Sequence, residues 1–234
     1  MKRNLFALFS ILVVLALALS ACQPAAPVER LSDPNEILKR SAEAAQEMKS
    51  AKMDFTIAIT TGGMNLSFKG EGVVKMPDQS YVKMNMMGQN YETLMISKDE
   101  MYVRVASDGP WTKMDISSAA QPGMNPDFFG QQEAMLSLYQ NPTLLGVETV
   151  DGVEAYHIAL TMDLQQVLNL TAAQTPEIQD MSGTARGEVW IGVADLLTRK
   201  SVISMDYLFQ GIQAVMDMTM QIKDINKPVD IPKP

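Results

Sequence analysis

The sequence predicts an α+β fold built on one large, strongly curved antiparallel sheet of about ten strands, with a few helices inserted as blocks. Three observations predict it. From Lys52 onward apolar side chains recur with period two, as a strand requires because successive side chains point to opposite faces. Short runs of this kind are separated by Gly, Asp, Asn and Pro turn signals. Patterning of period 3.6 is confined to the start of the folded part and to segments in the middle. One face is apolar along most strands, so the sheet must close, stack on a second sheet or be covered, and the helices are the available cover.

The composition agrees with a globular chain. At 234 residues it encodes one domain or two small ones, and 47% hydrophobic against 20% charged residues is enough to build a core and is not the signature of disorder. A formal net charge of −8, with no basic patch, argues against nucleic acid as a partner. A single cysteine, Cys22, excludes an internal disulfide, a cysteine metal cluster and a CxxC redox pair. A single histidine, His157, excludes paired-His metal motifs. No GxSxG, Walker, zincin or dinucleotide fingerprint is present, so the sequence supports no enzyme, metal or cofactor assignment.

Taken in order, residues 1–21 read as a secretory signal. Met1-Lys2-Arg3-Asn4 is a basic start, and the apolar run 5–19 would make a helix of about 22 Å, short of the ~30 Å needed to span a bilayer. Leu19-Ser20-Ala21-Cys22 then looks like a bacterial lipobox, which makes Cys22 the candidate acylation site. Two or three acyl chains hold a protein to a membrane where one holds only marginally. Residues 22–32, with Pro24 and Pro27, favour an extended, flexible tether, so that one domain is expected over 33–234.

A helix follows over 34–48. Asp33 is its N-cap, Pro34 its first residue and Glu36 the partner of a capping box, with Leu38, Ala42, Ala45 and Met48 on one face. Strands follow from Lys52 to about Thr60 and through Gly62-Gly63 into Met64, Leu66 and Phe68, then at 81–87, 91–97, 101–106 and 111–114. Asn125-Pro126-Asp127 reads as the start of a second helix carrying Phe128, Met135, Leu136 and Tyr139, ended by Asn141-Pro142. Strands 143–150 and 153–161 flank the hairpin turn Asp151-Gly152. Helical patches are expected at Asp163, with Leu164, Val167 and Leu168, and at Thr175-Pro176. Strands return at 184–192, 198–208 and 212–225.

The methionines bear on function. Many of the 19 fall on the apolar side of strands, among them Met84, Met86, Met205, Met216, Met218 and Met220. Methionine is unbranched and polarizable, so it packs around variable apolar shapes better than Ile or Val, and a lipid cavity would use that. The same residues also serve as ordinary core. With Phe55, Ile57, Ile59, Leu66 and Phe68 they form the candidate ligand-binding set. His157 reads as a structural or surface histidine, Glu148, Asp151 and Glu154 as a solvated hairpin, and Trp111 and Trp190 as core anchors.

The order of these features resembles the LppX/LprG group of bacterial lipoproteins and the wider LolA-like superfamily. The resemblance rests on the lipobox and tether, and on the helix leading through Lys49-Ser50-Ala51-Lys52 into an amphipathic strand. It rests too on Gly70-Glu71-Gly72-Val73-Val74, on Tyr102-Val103-Arg104 with Trp111-Thr112-Lys113, and on the terminal Ile225-Asn226-Lys227-Pro228-Val229-Asp230-Ile231-Pro232. It implies an open half-barrel whose concave face, covered by helices, holds acyl chains. It further implies an exported protein, lipid-anchored to the cell membrane, that carries a lipid or lipoglycan through the envelope with an envelope transporter as partner. An envelope interaction or sensory module of the same fold, without bound lipid, is the alternative.

Overall fold

The computed structural model describes residues 30–114, 138–164, 182–209 and 211–234. Within them, Leu31–Pro234 is one compact unit. Its helix, α1 (Pro34–Gln46), starts where Asp33, in an extended conformation, accepts a hydrogen bond from the Asn35 N–H at 2.9 Å, with Pro34 at the first helical position. The expected capping box does not close. Glu36 instead pairs with Arg40 one turn on at 2.6 Å, because the opposite charge at i,i+4 is within reach on the same face. The helix buries Ile37, Leu38, Ala42 and Ala45 on one side and stops at Gln46, leaving Met48 in the link to the sheet.

The sheet has eleven strands. These are β1 (Ser50–Thr61), β2 (Met64–Lys75), β3 (Gln79–Met86), β4 (Gln89–Ser97), β5 (Glu100–Val105), β6 (Thr112–Met114), β7 (Tyr139–Val150), β8 (Val153–Asp163), β9 (Ser182–Gly192), β10 (Thr198–Phe209) and β11 (Ile212–Lys223). They pair antiparallel in the order β6-β5-β4-β3-β2-β1-β11-β10-β9-β8-β7. The first and last strands therefore meet in the middle, from Lys52 opposite Lys223 to Thr61 opposite Ala214. The outer strands β6 and β7 do not pair with each other, so the sheet is curved but unclosed. The two-residue turns Gly62-Gly63, Met87-Gly88 and Asp151-Gly152 all have positive φ at both positions, the left-handed geometry that suits the twist of a hairpin.

The reading of Tyr139 as the end of a helix, with Asn141-Pro142 as its breaker, is corrected. Tyr139 opens β7, opposite Met162, and the register slips between Gln140 and Thr143. Asn141-Pro142 thus sits in a bulge on an edge strand, where proline's missing N–H costs no ladder bond on the open side. Asp163, expected to begin a helical patch, is the last residue of β8, and Leu164 directly after it is helical as expected. The signal 1–21, Cys22, the tether as far as Val28-Glu29, the second helix from Asn125 to Leu136, and the patches at Val167-Leu168 and Thr175-Pro176 lie outside the described residues.

Residues directly opposite one another on neighbouring strands share a face. On that rule the sheet has an apolar face and a polar one, and α1 lies on the apolar face at one end. There Ile37 and Leu38 pack with Tyr156, Ile158, Leu160, Met162, Ala185, Ile191 and Val193 into the largest buried cluster. Tyr156 also accepts the Leu31 N–H at 2.8 Å on its hydroxyl, which fixes where the chain enters the domain. A second cluster, Met48, Ala51, Val74, Met220 and Ile222, seals the end of β1, β2 and β11. The C-terminal tail closes over it, as the Asn226 N–H binds the Ser50 carbonyl at 2.8 Å and the Ser50 hydroxyl binds the Lys227 carbonyl at 2.6 Å.

Candidate functional site

The register brings the whole candidate set onto the apolar face. Across β10, β11, β1 and β2, one rung reads Met205, Met216, Ile59, Leu66. The next, extended to β3, reads Ile203, Met218, Ile57, Phe68, Met86. A third reads Ser201, Met220, Phe55, Gly70, Met84. Met220 is buried, whereas Phe55, Ile57, Ile59, Leu66, Phe68, Met84, Met86, Met205, Met216 and Met218 are each only half-buried. Among the described residues this is an apolar surface that the strands assemble and leave half-buried.

Its shape depends on two glycines. A Cβ at Gly70 would run into the ring of Phe55, and one at Gly72 would lie 2.8 Å from the Cγ of Met53. The glycines of β2 therefore let Phe55 and Met53 lie flat across the neighbouring strand. Ile203, Met53 and Val82 belong to the same face and were not among the sequence candidates. The period-two patterns of 198–208 and of the strand after Lys52 carried the signal for Ile203 and Met53; Val82 stands between the polar-facing Tyr81 and Lys83.

Titratable groups gather on the opposite, polar face. Glu92, 2% exposed, accepts hydrogen bonds from the Tyr81 hydroxyl at 2.7 Å and from Arg104 Nε and Nη2 at 2.9 and 2.6 Å, and the Arg104 guanidinium stacks 4.3 Å above the Trp111 ring. Burial by itself raises the Glu92 carboxyl, but hydrogen bonds from Tyr81, Ser107 and Arg104 outweigh it and hold it below the usual carboxylate range. Burial, then the hydrogen bond to Glu92 and its charge, pushes the Tyr81 hydroxyl up to about 12. Trp111 is therefore a half-buried platform for an arginine and not the core anchor expected.

Seven strands over from β4, His157 on β8 lies between two carboxylates, with Nδ1 2.9 Å from Glu148 and Nε2 2.8 Å from Glu188. Its ring stacks on Trp190 at 4.1 Å, and the Trp190 indole N–H donates to Glu148 at 2.9 Å. The hydrogen bonds from Trp190 and His157 hold the Glu148 carboxyl below its ordinary range. Both His157 ring nitrogens thus have carboxylate partners, Trp190 is buried with His157 and Lys200 stacked against its ring, and Glu148 is part of the same cluster. An open groove of about 520 Å³, lined by Thr143, Thr161, Arg186, Glu188 and Ser204, also lies on this face. Among the described residues no group of three or more His, Cys, Asp or Glu is placed to hold a metal ion.

An unclosed antiparallel sheet with an apolar face, and with its charged clusters kept on the other, defines a half-barrel protein suited to apolar contact. Residues 33–231 match the model of the LppX_LprAFG lipoprotein family, and the chain belongs to that family. Membership implies an exported envelope protein anchored to a membrane. The structure is similar to that of LprF from Mycobacterium bovis, with a TM-score of 0.56 at 16% identity over 88% of this chain and 98% of that one, a likeness of fold. It also aligns with lipoprotein LppX of Mycobacterium tuberculosis, with a TM-score of 0.47 at 15% identity over 86% of this chain and 100% of that one. For the LolA superfamily protein NE2245 from Nitrosomonas europaea the TM-score is 0.33 at 14% identity, over 86% and 96% of the two chains. No curated protein matches the chain.

Proposed function

We propose that the protein is a lipid carrier of the cell envelope, held to the membrane through acylated Cys22, which shields the acyl chains of a lipid or lipoglycan on the apolar face and passes the molecule on. The observation that carries the reading is the set of rungs from β10 to β3, apolar except at Ser201 and half-buried except at Ser201 and Met220. Removing apolar area from water is worth about 25 cal/mol per Å², so acyl chains laid along these rungs are held without covalent chemistry. Methionine suits that task because its thioether chain re-packs at little cost around ligands of different shape. Family membership supports the same reading. An envelope transporter that receives or delivers the lipid fits a carrier.

Native mass spectrometry of the protein released from its own membranes tests this. A bound species with the mass of a lipid or lipoglycan is expected. A protein that carries none and takes none up from vesicles would leave the envelope interaction module as the better account. Replacing Cys22 with Ser is expected to leave an unprocessed leader or release the protein from the membrane, and normal processing with normal retention would overturn the anchor.

A further inference from the structure

The hairpins on one end of the sheet differ in kind from those on the other. Met64, Met87, Val105, Leu208 and Ile212 are 61%, 83%, 54%, 46% and 55% exposed. Strand order and direction put all five on a single rim: Met64 after the β1–β2 turn, Met87 in the β3–β4 turn, Val105 at the end of β5, and Leu208 with Ile212 at the β10–β11 turn. From β5 to β10 this rim spans roughly 29 Å at ~4.8 Å per strand. Its tips 60–65, 85–90 and 207–213 contain no charged residue. The opposite rim is charged at every turn, with Lys98, Asp99, Asp151, Asp195, Asp224 and Lys227.

Met87 marks the contrast. It occupies the first position of its turn at φ 52°, where Asn, Asp or Gly is ordinarily found, and its side chain reaches into solvent. Backbone and water both disfavour a methionine there, and an apolar contact from outside the chain would offset that cost. The three uncharged tips, with Asp108 of the β5–β6 turn the charge beside them, fit the interfacial layer of a lipid bilayer, where apolar side chains lose water and those tips bring no ion to desolvate.

We infer that this rim docks on a bilayer surface and is the mouth through which an acyl chain moves between membrane and apolar face. The two surfaces are continuous: Met64 leads along β2 to Leu66 and Phe68, and Ile212 leads along β11 to Ala214 and Met216. The role as a mouth rests on the carrier reading; the docking itself rests on the rim.

The test places a tryptophan at each rim of the full lipoprotein. Met87→Trp, Ile212→Trp and the charged-rim control Lys98→Trp are reconstituted in phosphatidylcholine vesicles with brominated acyl chains, or in plain vesicles to which brominated ones are added. In one arrangement or the other, fluorescence above that of the parent should be quenched at least twofold for Met87→Trp and Ile212→Trp and left unchanged for Lys98→Trp. Unquenched signals in both arrangements, or equal quenching at both rims, would overturn the inference. Bound lipid measured on the same variants keeps the two readings apart. Quenching without bound lipid removes the carrier and leaves the docking rim, and bound lipid without quenching does the reverse.

Discussion

Two sectors of the same apolar face follow the same alternation and end in different states. Between β7 and β9, Ile37 and Leu38 of α1 press on Tyr156, Ile158 and Leu160, and these side chains are 0 to 6% exposed. Between β10 and β3, Met216, Met218, Ile57, Phe68 and Met86 are half-buried. Apart from Met162, the packed sector uses branched, aromatic and small residues with few rotamers, which fill a fixed volume at close-packed density. The open sector is rich in methionine, whose three rotatable bonds resist a single packing. Among the described residues exposure, not hydrophobicity, separates them: one sector is a buried core, and the other is an apolar surface left half-buried.

The largest expected effect lies in the packed sector. Ile158→Ala should destabilise the protein by about 2 to 5 kcal/mol, because a cavity opens where the helix and sheet cannot collapse onto it. Urea unfolding measures it; a loss under 1 kcal/mol would mean that this sector is not close-packed.

Gly70→Ala sharpens the open sector. The new methyl drives the Phe55 ring off β2 and should cost ~1 to 3 kcal/mol by overpacking, while changing the floor of the candidate site. A loss of lipid uptake larger than the loss of stability is the expected signature. Met218→Trp goes further in the same direction: bulk added to a half-covered face should weaken lipid uptake with less than about 1 kcal/mol of unfolding free energy lost, whereas a close-packed core would lose ~1 to 3 kcal/mol. Equal losses at Met218 and in the packed sector would erase the difference between them.

The smallest effect concerns the polar face. The Tyr81 hydroxyl holds its proton up to about 12 when folded, and the unfolded chain releases it near 10, so stability falls as pH rises through that window. Tyr81→Phe should remove this part of the alkaline slope. Absorbance titration of the tyrosines together with thermal unfolding reads it, and an unchanged slope would sever the link to Glu92.

Much of this architecture was legible because a strand's period of two is a local property. The alternation Ile212, Ala214, Met216, Met218, Met220, Ile222 names both faces of β11 without any knowledge of its neighbours, and Gly62-Gly63 and Asp151-Gly152 announce their turns by the backbone angles they allow. Tyr139 and Asn141-Pro142 were misread for the complementary reason. A proline after an apolar stretch looks like a helix stop, and only its place on an edge strand shows that a bulge absorbs it. His157, Glu148 and Glu188 stand on three strands, 9 and 31 residues from one another along the chain, so no spacing rule finds them.

By itself the sequence determined which residues alternate and where the hairpins turn, since each depends on neighbours a few residues away. Only the tertiary structure decided that β1 and β11 meet in the middle of the sheet and that α1 covers one end of its apolar face. It alone lined the apolar tips up on one rim. These outcomes follow from register and strand order, which are set by contacts between residues more than a hundred positions apart, as where Phe55 meets Met220.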